Sequence, residues 1–182
     1  MNIFQAIERG DSHLLQKIIS NDAITYNNDI KNVYGLSPMG VACFVGDVEC
    51  LKILLEKKFP LTLIKIGTYT TYPLQILSGR GHVECLRYIL DMGFPVNMVD
   101  SFGRTALWEA SMNGKTECMK LLINAGAFID IQDDSGNTPL HASILGNNID
   151  AYNALINFGA NANIRNDDGY LPVELDELRN IG

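Results

Sequence analysis

TPLHASILGNNIDAYNALI, residues 138–156, is said almost again three times earlier in the chain. Reading backwards, TALWEASMNGKTECMKLLI fills 105–123, YPLQILSGRGHVECLRYIL fills 72–90 and SPMGVACFVGDVECLKILL fills 37–55. Their second residues, Pro139, Ala106, Pro73 and Pro38, stand 33, 33 and 35 positions apart, and a further 33 positions reach Pro172 in LPVELDEL. At the other end, FQAIERGDSHLLQKII (4–19) aligns Ala6 with Ala42 and Gly10 with Gly46, a degenerate first copy followed by an irregular stretch from Asp22 to Val33. A fixed period of this length marks stacked supersecondary units, none of which buries its apolar face alone.

Each copy contains the same local physics. Thr138 is suited to cap a helix, and Pro139 has no N–H to leave unpaired in the first turn. Some seven helical residues on, Gly46, Gly81, Gly114 and Asn147 offer a turn with positive φ. The second helix then carries apolar residues three and four apart, Val48, Leu51, Leu54 and Leu55 in one copy and Val83, Leu86, Ile89 and Leu90 in the next, which places them on one face. Closing glycines at 93, 126 and 159 precede extended segments that end in Asp-rich turns. Helices this short are unstable in isolation, so neighbouring copies must supply the core.

Thr-Pro-Leu-His at 138–141, Gly81-His82-Val83-Glu84, and Asn97-x-x-Asp100 with Gly103-x-Thr105 together resemble the ankyrin repeat. The resemblance implies an all-α solenoid of helix-turn-helix units with short, β-hairpin-like finger loops. The expected organisation is a single domain over 1–182: a cap repeat at 1–33, repeats at 34–67, 68–100, 101–133 and 134–167, and a truncated cap at 168–182. Departures from the pattern mark special places. Gly40 stands where His is usual, and KKFPLTLIKIGTYT lacks the Gly-Ala and Asn-x-x-Asp signals, so its finger is expected to be longer or distorted. Leu77 and Ser78 replace a small Ala pair, Tyr72 replaces the Thr cap, Trp108 replaces His, and Glu109 replaces an apolar residue.

The formal net charge of −7 disfavours nucleic acid and anionic membranes as partners. Residues 1–65 balance seven Lys or Arg against seven Asp or Glu, whereas 66–182 set seven against fourteen, so a charged partner would present a basic or mixed apolar and basic surface. No apolar run is long enough to span a bilayer, and the N-terminus lacks the pattern of a signal peptide. Cys43, Cys50, Cys85 and Cys118 form no CxxC pair. Cys50, Cys85 and Cys118 recur one per copy, too far apart for disulfides or a shared metal, and read as buried small hydrophobes in a reducing cytoplasm. Delivery into a host cell as an effector stays open. Asp133-Asp134 and Asp167-Asp168 fit turn chemistry and show no calcium-loop spacing. No catalytic motif is present, so a non-catalytic monomer without cofactor or metal is expected.

From the resemblance, partners are expected at the finger tips and on the exposed face of each first helix. That selects Tyr34, Tyr69 and Phe102 at one tip position, with Leu36, Thr71, Arg104, Asn137 and Tyr170 two residues beyond it. Late in the first helices it selects Phe44, Val45, Arg80, Met112, Asn113 and Leu145, and Trp108 joins as either a packed brace or an exposed anchor. His141 and His82 match scaffold positions that fix turns by bonding to backbone, and His13 is expected to be exposed. Asn97 and Asn163 match a position that asparaginyl hydroxylases modify in this family, where Asp130 stands in the copy between. The expected function is a protein-binding scaffold. The alternative is a small acidic inhibitor, antitoxin-like or effector-type, that occludes a basic site on a target enzyme.

Overall fold

The computed structural model describes residues 2–20 and 30–175. Most of the irregular stretch from Asp22 to Val33, and the last seven residues of the expected C-terminal cap (176–182), lie outside the described residues. The elements are α1 (Ile3–Glu8), α2 (Ser12–Ile19), α3 (Pro38–Val45), α4 (Val48–Glu56), β1 (Ile64–Ile66), β2 (Tyr69–Thr71), α5 (Pro73–Arg80), α6 (Val83–Asp91), α7 (Ala106–Met112), α8 (Thr116–Asn124), α9 (Pro139–Leu145) and α10 (Ile149–Asn157). Two compact units divide them, the first ending at Pro73 and the second beginning at Leu74.

The first helix of a copy starts where its sequence said it should. Ser37 Oγ accepts from Gly40 N at 3.2 Å, Thr105 Oγ1 from Trp108 N at 3.1 Å, and Thr138 Oγ1 from His141 N at 3.4 Å, satisfying N–H groups that have no partner inside the helix. Between the two helices of a copy the chain reverses with positive φ. Asn147 takes φ 57°, tolerable for Asn because its short polar side chain relieves the left-handed region better than other non-glycine residues.

In the first unit α1 packs on α3 and α2 on α4. The layer between them is filled by Phe4, Ile7, Leu15, Ile19, Met39, Leu51 and Leu54, all buried. The finger after α4 is a true hairpin: β1 and β2 run antiparallel with Ile64 opposite Thr71 and Ile66 opposite Tyr69 across the turn at Gly67 and Thr68. Lys58, not glycine, closes α4, at φ 61°, in the place that Gly93, Gly126 and Gly159 hold in other copies.

In the second unit α7 packs on both α8 and α9, α9 on α10, and α6 on α8. Its core comprises Leu74, Leu77, Leu86, Ile89, Leu107, Met119, Leu122, Leu140 and Leu155. Cys43 and Cys50 in the first unit, and Cys85 and Cys118 in the second, are buried free thiols. Burial, with Asp47 adding to it, pushes the Cys50 thiol up to about 12, and burial pushes Cys118 up to about 11, so both are protonated and chemically quiet at neutral pH. No helix among the described residues is long and apolar enough to cross a membrane.

Candidate functional site

Fingers outside the hairpin share one design. Asp100 Oδ1 accepts from Phe102 N at 2.9 Å and Arg104 N at 3.0 Å, and Asp133 Oδ1 from Ser135 N at 2.9 Å and Asn137 N at 2.8 Å. Asn32 Oδ1 does the same for Tyr34 N and Leu36 N, and Asn166 Oδ1 accepts from Tyr170 N. Each Asx side chain thereby replaces the backbone acceptors that a tight turn lacks. In the second unit the fingers are also tied tip to tip, Asp134 N donating to Phe102 O at 3.0 Å and Asp167 N to Ser135 O at 3.1 Å. Gly103 permits the first of these ties. Its φ is +72°, and a Cβ there would lie 2.5 Å from Asp134 Oδ1 and 2.9 Å from Asp134 N.

Behind the tips, the third residue of the first helix links one copy to the next finger in α3, α5 and α9. In α9, His141 Nε2 lies 3.1 Å from Tyr170 O, a carbonyl that can only accept, so Nε2 carries the proton. Its Nδ1 then accepts from Thr138 N at 3.2 Å, completing a reciprocal cap. Burial holds the His141 pKa below the ordinary imidazole value against opposing contributions from the Tyr170 carbonyl and Asp133. In α5 the same task falls to Gln75, whose Nε2 donates to Met98 O at 2.8 Å and Arg104 O at 3.3 Å. In α7 the residue is Trp108, 7% exposed, with Nε1 lacking a hydrogen-bond partner. In α3 it is Gly40, and Ile64 of β1 fills the space, its Cγ2 3.4 Å from where a Cβ would stand.

A cluster of charged and aromatic groups lies where the finger 100–104 meets α7. Arg104 Nε and Nη2 reach Asp100 Oδ2 at 3.0 and 2.7 Å, and Nη1 reaches Glu109 Oε1 at 3.1 Å. The guanidinium carbon stands 4.8 Å from the Phe102 ring centre and 5.2 Å from that of Trp108, so the cation is held against two aromatic rings. Glu109 is thus paired, as one of the two outcomes expected for a carboxylate at that position. Burial nonetheless raises its pKa, Arg104 offsetting the effect and Asp100 adding to it.

The structure brings together only some of the candidate residues. Phe102, Arg104 and Trp108 meet; Asn137 Oδ1 accepts from Asn166 Nδ2 at 3.0 Å, Tyr170 lends its carbonyl to His141, and Asn113 Nδ2 donates to the Glu109 carbonyl at 2.8 Å. Phe102 is 50% exposed, Arg80 and Asn113 are exposed, Tyr170 is marginally so, and Met112, Asn137 and Leu145 are half-buried. In the first unit Tyr34 is 76% exposed, while Leu36, Phe44, Val45 and Tyr69 are half-buried.

Two expectations need correction. Thr71, selected with the finger residues, is buried at the end of β2 opposite Ile64. Tyr69 does not share the tip position of Tyr34 and Phe102: it is paired with Ile66 inside the hairpin, whose turn lies two residues earlier. Arg104 is engaged by Asp100 of its own finger and by Glu109 of α7. Of the two readings open for Trp108, its burial agrees with the packed brace. Sequence reading passed over Gln75, which has no recognised motif but stands at the His141 position, a periodic signal that could have found it. It also passed over Asn148, whose Nδ2 donates to Met112 O at 2.7 Å. His13 is exposed, and His82 precedes α6 without a side-chain cap bond. Asn97 ties adjacent loops, Nδ2 donating to Gly126 O and Oδ1 accepting from Phe128 N.

Comparison with known proteins agrees with this geometry. A family model described as ankyrin repeats (3 copies) matches residues 3–100 and 74–168. The solved human ASB11 ankyrin repeat domain is similar, with a TM-score of 0.82 and 26% identity, over 95% of this chain and 75% of that one. A search of curated protein sequences gave no match. Ankyrin repeats are generally protein–protein interaction modules and typically act without catalysis. With the periodic helix pairs, the capped first helices and the Asx-built fingers all in place, the chain belongs to the ankyrin repeat family.

Proposed function

We propose that this chain is a non-catalytic scaffold that recognises a protein partner through its finger tips and the adjoining first-helix face, centred in the second unit on Phe102. One observation carries the reading. Phe102 exposes half of its surface at a tip whose conformation is fixed by Asp100, tied to the next finger through its own carbonyl, and backed by the Arg104 guanidinium. An exposed aromatic ring already held in one conformation loses little entropy on docking, and aromatic residues dominate binding hot spots. Met112 and Asn113 at the end of α7 would extend the contact.

Affinity capture from a lysate of the source organism, comparing the wild-type chain with the Phe102→Ala/Met112→Ala variant, tests this. A protein retained in stoichiometric amount by the wild type and lost by the variant is the expected result, with helical content unchanged. Identical captures would mean that this face is an ordinary solvated surface.

A further inference from the structure

Several departures from the repeat pattern fall together in α5. Tyr72 precedes it where Ser37, Thr105 and Thr138 precede the other first helices, and a phenol cannot reach the helix-start N–H groups that those short hydroxyl side chains satisfy. Gly79 holds the position of Phe44, Met112 and Leu145, and a glycine inside a helix costs backbone entropy and packs no side chain. Among the described residues, the buried side-chain atoms without a hydrogen-bond partner are Gln75 Oε1, Ser78 Oγ and Trp108 Nε1, the first two of them in α5. Ser111, at the Ser78 position of α7, donates to Leu107 O at 2.7 Å. A buried polar atom that has given up water without gaining a partner recovers its bonding when the helix opens, so each one favours the open state.

The same helix supports the finger that carries Phe102. Gln75 Nε2 donates to Met98 O at 2.8 Å and to Arg104 O at 3.3 Å, so one side chain holds the finger on both of its sides. The counterpart in α9 is better secured: Thr138 caps the helix, and both ring nitrogens of His141 are bonded. Opening of α5 withdraws Gln75 from the finger, whereas opening of α9 has to break a satisfied cap and brace.

We propose that α5 is a low-stability latch on the Phe102 finger, which opens locally while α9 stays folded and so releases the finger from its support. The proposal rests on the binding face described above and adds a means of regulating it. Stability differs from element to element within a fold, and a site held by the weaker element is coupled to its opening. By linkage, binding that needs Phe102 held in place protects α5, and whatever stabilises α5 strengthens that binding.

The test is amide hydrogen exchange on the full chain, free in solution, a measurement that needs no partner. Amides within α5 should be less protected than those within α9 by roughly 10-fold or more. Ser78→Ala removes the orphaned hydroxyl and supplies a better helix former. It should raise protection several-fold in α5 and at the Asp100 and Arg104 amides of the finger, and leave α9 unchanged. Equal protection of α5 and α9 in the wild type would refute the weak helix, and a gain in α5 that does not extend to the finger would refute the latch. The expected exchange pattern combined with identical captures by wild type and Phe102→Ala/Met112→Ala would uphold the latch and remove only the binding face.

Discussion

Gly40 and His141 occupy the same place in two copies and hold their fingers by opposite physics. His141 is a buried polar group with both ring nitrogens bonded, one to its own helix start and one to the carbonyl of Tyr170. Gly40 has no side chain, and the finger folds back as a hairpin so that Ile64 occupies the vacant space. The first solution is directional and demands full satisfaction, because an unpaired buried donor or acceptor costs about 1–3 kcal/mol. The second is apolar, depends on shape, and tolerates a longer loop. Fingers in this chain are therefore interchangeable in position and not in mechanism.

The largest expected effect comes from removing the polar brace. His141→Ala should destabilise the second unit by about 3 kcal/mol, from the lost bonds and the cavity together. Trp108, the single tryptophan, lies in that unit, so its fluorescence during urea unfolding reports the loss. His141→Gln should recover more than half, since Gln75 performs the same task one copy earlier. Its pH dependence sharpens the point. The folded-state pKa of His141 is lowered, so the unfolded chain binds the extra proton as pH falls below about 6.5, and stability drops toward acid. That slope should flatten in His141→Gln; an unchanged slope would mean that the imidazole is not buried in its neutral form.

Ile64→Ala should cost about 2–4 kcal/mol in the first unit, read by amide hydrogen exchange in α3 and the hairpin. A double-mutant cycle with Gly40→Leu is the sharper measurement. Gly40→Leu alone should overpack the site, and pairing it with Ile64→Ala should recover at least about 1 kcal/mol; additive losses would separate the two residues. Gln75→Leu, which leaves the Met98 and Arg104 carbonyls without this donor, should cost about 1–2 kcal/mol, less than His141→Ala because no cavity forms. Smallest is a gain: Lys58→Gly should stabilise the end of α4 by up to about 1 kcal/mol, by relieving a left-handed conformation that glycine adopts freely in the other copies.

Much of this molecule was legible from its residues. The 33-residue period, the Ser and Thr caps, the proline-started helices, the turn at Asn147 and the burial of the cysteines are local or periodic properties, and composition at fixed spacing reports them directly. Tyr69 was misplaced because position alone cannot say whether a segment turns or pairs: KKFPLTLIKIGTYT lacks the Asx signal, and the turn moved to Gly67 once Ile64 had a space to fill. The engagement of Arg104 was not legible because its partners, Asp100 and Glu109, lie on different elements and their convergence is invisible in one dimension.

What the sequence by itself determined is the repeated unit: helix starts and stops follow from caps, proline and residues that tolerate positive φ, all of which act within a few positions along the chain. Tertiary structure alone decided how a copy meets the next finger, by Ile64 against Gly40, by Gln75 or by His141. The same step set Glu109 against Gly79, 30 positions away. The reason is physical: a cap acts within one turn of its own helix, whereas a brace or a shared counterion exists only when separate elements are packed in contact.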